Sequence, residues 1–423
     1  MIDIVYAITI LGAILVLGFF GNYIFNRTQI PSIVWLLIFG LIIGYILNVR
    51  NIDQTLIITV SKFFAAIAIV VILFDGGINT DLYQLFKGAP RGLLLSISAF
   101  SLSVLITMTI VVLLSATIFT QIPLENSVII GIILGAIVGG TSSPIVIPLA
   151  SRLRNLQDKT KMALSIESII TDPLCIVVVL AAIVMVTSGA INLTQGLSNL
   201  VSTFSVGGVM GFILGLIWLP IMHRLRKEEF SYVLTLAVAF LVYSLASFIA
   251  SSGGEGAGAV ACLVFGLVLG NGKKVLSMID YKSMSFQLDE ESKHSHALIS
   301  FMIRTFFFVY LGMMVGFQKI EYILVGIVIL IALFVVRYLA IEIATYRGNY
   351  ELDDKQTMIV LMPRGLAAAI LALNFGPELV NRLIPEMQGF FADITFVIIF
   401  GTAVICTIGV SYIARKERQK MCN

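Results

Sequence analysis

The sequence predicts an all-helical protein that crosses a membrane many times. Of its 423 residues, 59% are hydrophobic and only 12% are charged, whereas soluble domains carry about a quarter charged residues. Apolar runs of roughly 20 residues, the length that spans ~30 Å of hydrocarbon as a helix, recur from one end of the chain to the other. Basic residues cluster in alternate gaps between these runs. These three observations predict one transmembrane domain over residues 1–423 and no soluble domain.

Thirteen transmembrane spans are predicted, with glycine, proline and charged residues at the joints between them. The first hydrophobic segment lacks the basic n-region and the small-residue cleavage site of a signal peptide, so we expect a retained helix. The predicted spans cover roughly residues 4–25, 32–48, 55–74, 92–119, 127–149, 162–187, 198–222, 231–250, 257–270, 298–316, 320–345, 357–376 and 391–414.

Lysine and arginine residues indicate the orientation of these spans. The gaps after odd-numbered spans, together with the C-terminal tail, hold twenty of the 27 basic residues, and the gaps after even-numbered spans hold three. Positively charged loops remain on the cytoplasmic side of a membrane. We therefore expect a multi-pass protein of the cell membrane, with its N-terminus outside and its C-terminus in the cytoplasm.

Nothing in the sequence indicates an enzyme or a cofactor. The four cysteines have no paired spacing, which argues against both a disulfide framework and a zinc site. His294 and His296 fall in a hydrophilic stretch, residues 271–297, that is expected to be a solvated cytoplasmic loop, although cytoplasmic pH sensing is an alternative role. Zinc-protease and phosphate-binding motifs are missing from the sequence. We expect no cofactor and no nucleic-acid partner.

Few ionisable side chains fall inside the predicted spans. A charge near the bilayer centre costs ~2.5–3.5 kcal/mol on insertion scales, so such a residue rarely lacks a function. Lys62 lies in the outer half of its span, where its long side chain can reach the interface. The deeper ionisable residues are three arginines and two carboxylates: Arg304, Arg337, Arg364, Glu167 and Asp172.

Asp172 is the strongest candidate for an ion-binding carboxylate. It lies near the middle of the sixth span and precedes Pro173, which removes one backbone hydrogen bond and can free the carbonyl of Ile169. Ser168 lies one helical turn earlier on the same face. Hard cations such as sodium prefer carboxylate, hydroxyl and carbonyl oxygens, while a proton needs only the carboxylate.

Two spans contain residues that interrupt a helix. The fifth span holds three glycines, three hydroxyl residues and two prolines between Gly135 and Pro148, and the twelfth holds Pro363-Arg364-Gly365. These residues favour unwound helices that face an ion cavity, although a seam of small residues for helix packing is an alternative for the fifth span.

The two interrupted spans occupy matching places in two six-span halves. The halves cover about residues 4–187 and 231–414, and a linker span at about 198–222 joins them. An offset of seven spans inverts the second half relative to the first. Paired broken helices in inverted repeats mark the midplane site of a secondary transporter.

Glu167 and Arg337 are expected to form a buried ion pair. Their positions lie roughly 10 Å and roughly 7 Å to the cytoplasmic side of their helix midpoints, and the arginine side chain can cover the difference. The alternative is that Glu167 and one arginine form a buried pair whose only role is structural, in helix packing. Glu167 and Asp172 are about 140° apart around the helix, so they need not share a partner.

Six stretches of the chain resemble the monovalent cation–proton antiporter superfamily, nearest its NhaP-like sodium/proton exchanger branch. The resemblance covers nearly the whole chain. The matching stretches are Leu73-Phe-Asp-Gly-Gly-Ile78, Gly135-Ala-Ile-Val-Gly-Gly-Thr-Ser-Ser-Pro144, Glu167-Ser-Ile-Ile-Thr-Asp-Pro173, Gly266-Leu-Val-Leu-Gly-Asn271, Arg304-Thr-Phe-Phe-Phe-Val-Tyr-Leu-Gly312 and Pro363-Arg-Gly365.

The resemblance implies a role for each deep ionisable residue. Asp172 is expected to be the essential ion- and proton-binding carboxylate, with Ser168 as a cation ligand. Glu167 is expected to pair with Arg337, Arg364 to lie where the two broken helices cross, and Arg304 to match the basic residue before the family's Phe-rich motif. A homodimer is also implied. The expected binding set is Asp172, Ser168, Thr171, Ser142 and Thr141, with Asp75 and Ser143 as accessory residues.

Two departures from the family pattern leave the transported cation open. Thr171 stands where the family usually has asparagine or a second aspartate, and Ser142-Ser143-Pro144 replaces the usual Thr-Asp-Pro. The resulting prediction is an electroneutral sodium/proton antiporter that works by alternating access on sodium, lithium or potassium and protons. The alternatives are a potassium/proton antiporter of the same fold, a sodium-coupled solute symporter and an ion channel. An intramembrane aspartyl protease is disfavoured because Asp172 has no mid-membrane aspartate partner.

Overall fold

The structure, a computed structural model, is helical wherever it contains regular secondary structure among the residues that it describes. It describes residues 2–422 except 29, 50–54, 81–89, 121, 154–155, 188–192, 226–227, 229, 251–253, 273–289 and 317–318. Within these residues the helices are α1 (Ile2–Thr28), α2 (Ser32–Val49), α3 (Thr55–Ile78), α4 (Pro90–Thr117), α5 (Leu124–Ile137), α6 (Ser143–Arg152), α7 (Asp158–Thr187), α8 (Leu193–Leu225), α9 (Ser231–Ile249), α10 (Gly254–Gly270), α11 (Glu290–Met314), α12 (Ile320–Thr345), α13 (Leu352–Val360), α14 (Leu366–Asn374), α15 (Gly376–Leu383) and α16 (Phe390–Cys422).

The helices match the predicted membrane protein in type and position. Eight of those that the structure describes are long and apolar enough to cross a membrane, judged by length and composition. Each of the predicted spans coincides with one helix or with a pair of half-helices. The exact number of spans stays a prediction. The short helix α15 lies in a gap where no helix was predicted, and a proline in its first turn begins it.

Both predicted helix breaks are present. The fifth span consists of α5 and α6, separated by residues 138–142, and the twelfth consists of α13 and α14, separated by residues 361–365. Pro144 lies in the first turn of α6, where its missing N–H removes no helical hydrogen bond.

The fifth span also packs closely through small residues, which was the alternative interpretation. A Cβ added at Gly131 or Gly135 of α5 would lie 2.6 Å from Cα of Met108 or 2.7 Å from Cα of Val104 on α4. The fifth span is therefore both broken and closely packed, with the glycine contacts in its first half and the unwound residues after them.

The prediction of a loop over residues 271–297 is wrong at its C-terminal end. Helix α11 begins at Glu290, so His294 and His296 lie in a helix. The polar composition of this stretch does not prevent the helix of the predicted span at 298–316 from extending beyond the membrane. Residues 273–289 of the predicted loop lie outside the described residues.

The chain divides into two compact units, and the boundary on α7 falls between Thr171 and Asp172. Unit 1 comprises Met1–Ala65, Ala89–Thr171 and Met302–Asn423, and within it α12 packs against α4 and α16 while α14 packs against α16. Unit 2 comprises Ala66–Gly88 and Asp172–Phe301, and within it α10 packs against both α8 and α9. Unit 1 thus contains both helix breaks.

Candidate functional site

The two helix breaks cross each other inside unit 1. The backbone N–H of Ser142, in the first break, donates a hydrogen bond of 2.8 Å to the carbonyl of Pro363, in the second. A Cβ added at Gly365 would lie 2.8 Å from Cβ of Ser142, so this approach requires glycine. Thr141 and Ser142 are both buried, each with 2% of its surface exposed. The crossing therefore collects backbone amides, carbonyls and hydroxyl groups in a buried place.

Arg364, from the second break, binds the unwound residues that follow the first half-helix, α5. Its Nη1 donates hydrogen bonds of 2.8 Å to the carbonyls of Gly139 and Gly140. These carbonyls lie two and three residues past Ile137, the last residue of α5, near the negative end of its dipole, where a positive charge is favourable. The backbone N–H of Arg364 donates to Oγ1 of Thr402 at 3.1 Å. Arg364 thus lies at the crossing, where the family resemblance led us to expect it.

Arg337, on α12, binds backbone carbonyls at the end of α13, the half-helix before the second break. Its Nε donates to the carbonyl of Met358 at 2.9 Å, and its Nη2 donates to the carbonyl of Leu361 at 3.1 Å. Its Nη1 donates to Oε1 of Glu167. Both members of this ion pair are buried, with 3% of Arg337 and 1% of Glu167 exposed. The predicted ion pair is present, and its arginine also holds the end of a broken helix.

The two arginines make the same kind of electrostatic contact in the two breaks. In each break a buried guanidinium binds backbone carbonyls at or just after the C-terminal end of the preceding half-helix, where the negative end of the helix dipole lies. Arg337 also has a carboxylate partner, Glu167, whose Oε2 is buried without a hydrogen bond to the described residues.

Thr171 ties helix α7 to the first break. The backbone N–H of Thr141 donates to Oγ1 of Thr171 at 3.0 Å, and the two threonine Oγ1 atoms are 3.5 Å apart. Thr171 is completely buried. Thr141 N–H lies in the unwound segment, where no helical carbonyl is available to it. The threonine that replaces the family's asparagine or aspartate therefore satisfies a buried backbone donor.

Ser168 presents its oxygen differently. Its hydroxyl donates to the carbonyl of Ser165 at 3.1 Å within α7, and the residue is completely buried. Because the hydroxyl proton is used in this bond, the oxygen lone pairs remain available for a cation. This orientation is compatible with the predicted role of Ser168 as a ligand.

Asp172 follows Thr171 directly on α7 and is half-buried. The helix continues through Pro173 to Thr187, so Ser168 and Asp172 remain one helical turn apart. The proline leaves the carbonyl of Ile169 without its usual donor.

Three other predicted site residues are not brought into these contacts. Ser143 is half-buried at the start of α6, and Arg304 is half-buried on α11 without a hydrogen bond or ion pair to the described residues. Asp75, in unit 2, accepts a hydrogen bond of 2.5 Å from Nδ2 of Asn79. In the part of the chain that the structure describes, no three histidine, cysteine or acidic residues group as a metal site.

Comparisons with known proteins agree with this architecture. Na(+)/H(+) antiporter 1 of Methanocaldococcus jannaschii is 28% identical over 410 residues, which cover 96% of this chain and 91% of that protein. The solved structure of the sodium proton antiporter MjNhaP1 from this organism at pH 8 covers 96% of both chains, with a TM-score of 0.75 and 25% identity.

A relative that is named for a different cation also matches. The K(+)/H(+) antiporter NhaP of Alkalimonas amylolytica is 23% identical over 419 residues, covering 96% of this chain and 66% of that protein. The family model described as the transmembrane region of sodium/hydrogen exchangers matches residues 12–416. The chain therefore belongs to the sodium/hydrogen exchanger family of multi-pass membrane proteins.

Proposed function

We propose that this chain is a secondary active antiporter that exchanges sodium for protons, with the two ions competing for Asp172. The observation that carries the proposal is the buried crossing of two broken helices, joined by the bond from Ser142 to Pro363. The Thr141–Thr171 bond ties α7 to this crossing, and Asp172 is the next residue on that helix. Family membership and relatives named as sodium/proton antiporters support the same activity.

The proposed site explains why one ion must leave before the other binds. A sodium ion needs several oxygen ligands, which we assign to the Asp172 carboxylate, the Ser168 hydroxyl and the hydroxyls of Thr141 and Ser142. A proton needs only the carboxylate. An empty, ionised Asp172 within the membrane is costly, so the carrier moves readily only when a proton or a cation neutralises it. Alternating access between inverted repeats, at about residues 4–187 and 231–414, then exchanges the two ions.

The charges at the site predict exchange of one cation for one proton. Thr171 has no ionisable group. Glu167 is held by Arg337, and we take Glu167 to stay ionised throughout the cycle. Asp172 alone changes occupancy and carries one positive charge in either direction. We place this electroneutral cycle in a homodimer of the cell membrane, with the N-terminus outside and the C-terminus in the cytoplasm.

The test is ion-driven proton movement in proteoliposomes under an imposed pH gradient, with Na⁺, Li⁺ and K⁺ supplied separately. Wild type should respond to Na⁺, and Asp172→Asn should not, because an amide cannot exchange a proton for a cation. Asp158→Asn is a matched control on the same helix, since the Asp158 side chain is fully exposed, and it should retain exchange. Sodium-driven proton movement by folded Asp172→Asn would remove Asp172 from the mechanism.

A potassium/proton antiporter is the second candidate, because one relative that covers 96% of the chain is named as such. The residues at the first break, Ser142-Ser143-Pro144, also lack the family's carboxylate. The same proteoliposome experiment decides between the two cations. Proton movement driven by K⁺ but not by Na⁺ would replace sodium as the substrate and keep the site.

A further inference from the structure

A cavity of about 280 Å³ lies within unit 1, away from the crossing of the two helix breaks. Its walls come from α3, α11, α14, α15 and α16, and most of them are apolar. The exposed lining residues are Lys62, Pro377, Gln388 and Gly389, while Ala372, Leu373, Val380 and Phe391 are among those that are buried. The cavity therefore has a polar mouth and an apolar interior.

Lys62 is the basic residue at this mouth. It lies seven residues into α3, which places it about 10 Å from the helix start. It makes no ion pair or hydrogen bond with the residues that the structure describes. Its long side chain can carry the ammonium group to the interface, where the phosphate of an anionic lipid attracts it. The mouth therefore favours a negatively charged group.

The other polar groups near the cavity already have partners. The hydroxyls of Ser61 and Tyr310, in its wall, hydrogen-bond each other. Asp393, next to the lining residue Ala392, accepts a hydrogen bond of 3.2 Å from the backbone N–H of Gly316. Glu378, beside Pro377, forms an exposed ion pair of 3.3 Å with Arg382. The Glu378 charge is thus paired with Arg382, the Asp393 carboxylate is buried and held by a neutral donor, and Lys62 is the exposed charge at the mouth.

Two helix N-termini add to the positive potential. Helix α15 begins at Gly376 and α16 begins at Phe390, and residues from both first turns line the cavity. The N-terminal end of a helix carries a partial positive charge that favours anions. Each first turn also carries a carboxylate, Glu378 or Asp393, that partly offsets this charge. Lys62 therefore selects the anionic head, and the apolar interior selects a hydrocarbon chain.

We propose that the cavity binds an anionic phospholipid, with its phosphate at Lys62 and an acyl chain against Leu373, Val380 and Phe391. The predicted orientation assigns this lipid to the outer leaflet. The site is separate from the ion-exchange residues and does not depend on the proposed sodium/proton exchange. A cation in transit is a poor occupant, because the Lys62 ammonium repels it.

Native mass spectrometry of the full chain in detergent tests this proposal, with phosphatidylglycerol and phosphatidylcholine of identical acyl chains. A basic residue near an anionic headgroup contributes about fivefold in affinity. Wild type should therefore bind one phosphatidylglycerol about fivefold more tightly than phosphatidylcholine, and Lys62→Gln should remove the difference. Lys319→Gln is the matched control, since Lys319 is also exposed on the predicted outer side but donates to the Glu386 carbonyl at 3.0 Å; it should keep the preference.

Two further measurements test the contributions of the acyl chain and of the headgroup separately. Ala392→Phe, at a half-buried lining position, should weaken binding of both lipids because the ring occupies space for the acyl chain. Inorganic phosphate, added to wild type at millimolar concentration, should not displace the bound lipid. Retention of the phosphatidylglycerol preference by Lys62→Gln, or unchanged binding by Ala392→Phe, overturns the proposal. Displacement by phosphate also overturns it and assigns the mouth to a free anion, and this outcome requires no variant to fold.

Discussion

Removing either member of the Glu167–Arg337 pair should destabilise the protein, and removing the arginine should cost more. Glu167→Ala leaves Arg337 with its two carbonyl acceptors at Met358 and Leu361. Arg337→Met strands the carboxylate and also deprives both carbonyls of their donors. The contacts therefore predict an order of stability, with wild type first, Glu167→Ala second and Arg337→Met last.

The size of each loss follows from these contacts. Breaking a buried ion pair by removing one partner costs ~3–5 kcal/mol, and we expect Glu167→Ala near the lower end because Arg337 keeps two acceptors. Each buried carbonyl left without a donor adds ~1–3 kcal/mol, so Arg337→Met should lose at least ~2 kcal/mol more. The double variant should lose less than the two single variants together, since it leaves no unpaired charge.

Thermal unfolding in detergent, followed by fluorescence-detected size exclusion, measures this order. Arg382→Ala is the control, because the Glu378–Arg382 pair has a similar chemistry but is about half exposed. Exposed pairs contribute ~0–1 kcal/mol, so this variant should melt close to wild type. The reasoning fails if Glu167→Ala melts like wild type, or if Arg337→Met is the more stable of the two variants.

Three further predictions concern the helix breaks and the charge count. Thr171→Val should lower the melting temperature, because it removes the acceptor of the buried Thr141 N–H, and an unpaired buried donor costs ~1–3 kcal/mol. Thr171→Ser keeps the acceptor and should melt like wild type. Equal melting of the two variants contradicts this role. Gly365→Ala should reduce the exchange rate, because its Cβ would lie 2.8 Å from Cβ of Ser142. Gly208→Ala, whose Cβ would have nothing within 4 Å, should not. An unchanged rate in Gly365→Ala would show that exchange does not need the close contact between the two breaks. The rate of sodium-driven pH change should not depend on a membrane potential set with potassium and valinomycin, once potassium is shown not to be a substrate. A cycle that moved a net charge would change in energy by ~2.3 kcal/mol per 100 mV. Rates that follow the potential would require a second proton carrier, and Glu167 is the first to test.

The sequence was most informative where local chemistry decides the structure. Glycine and proline at residues 135–148 and 363–365 predicted both breaks, because these residues weaken helices wherever they occur. Charges are so costly in a membrane that depth, together with the family resemblance, predicted the pair of Glu167 with Arg337. Helix α15 was missed because its eight residues are too short and too polar to resemble a span.

Contacts of uncharged residues between distant parts of the chain were beyond the reach of sequence patterns. The Thr141–Thr171 bond joins residues 30 positions apart, and the bond from Arg364 N–H to Thr402 joins residues 38 positions apart. Both depend on how helices pack. Thr402 carries no charge and interrupts no pattern, so only the folded chain identifies it. Thr171 was noticed as a departure from the family, but its partner was not.

The most direct test of the central claim is the apparent Na⁺ affinity of wild-type proteoliposomes across a pH series. If a proton and a cation compete for Asp172, the affinity should fall by about tenfold for each pH unit below the titration of that carboxylate and become constant above it. An Na⁺ affinity that does not change with pH on either side of the titration would contradict a shared site.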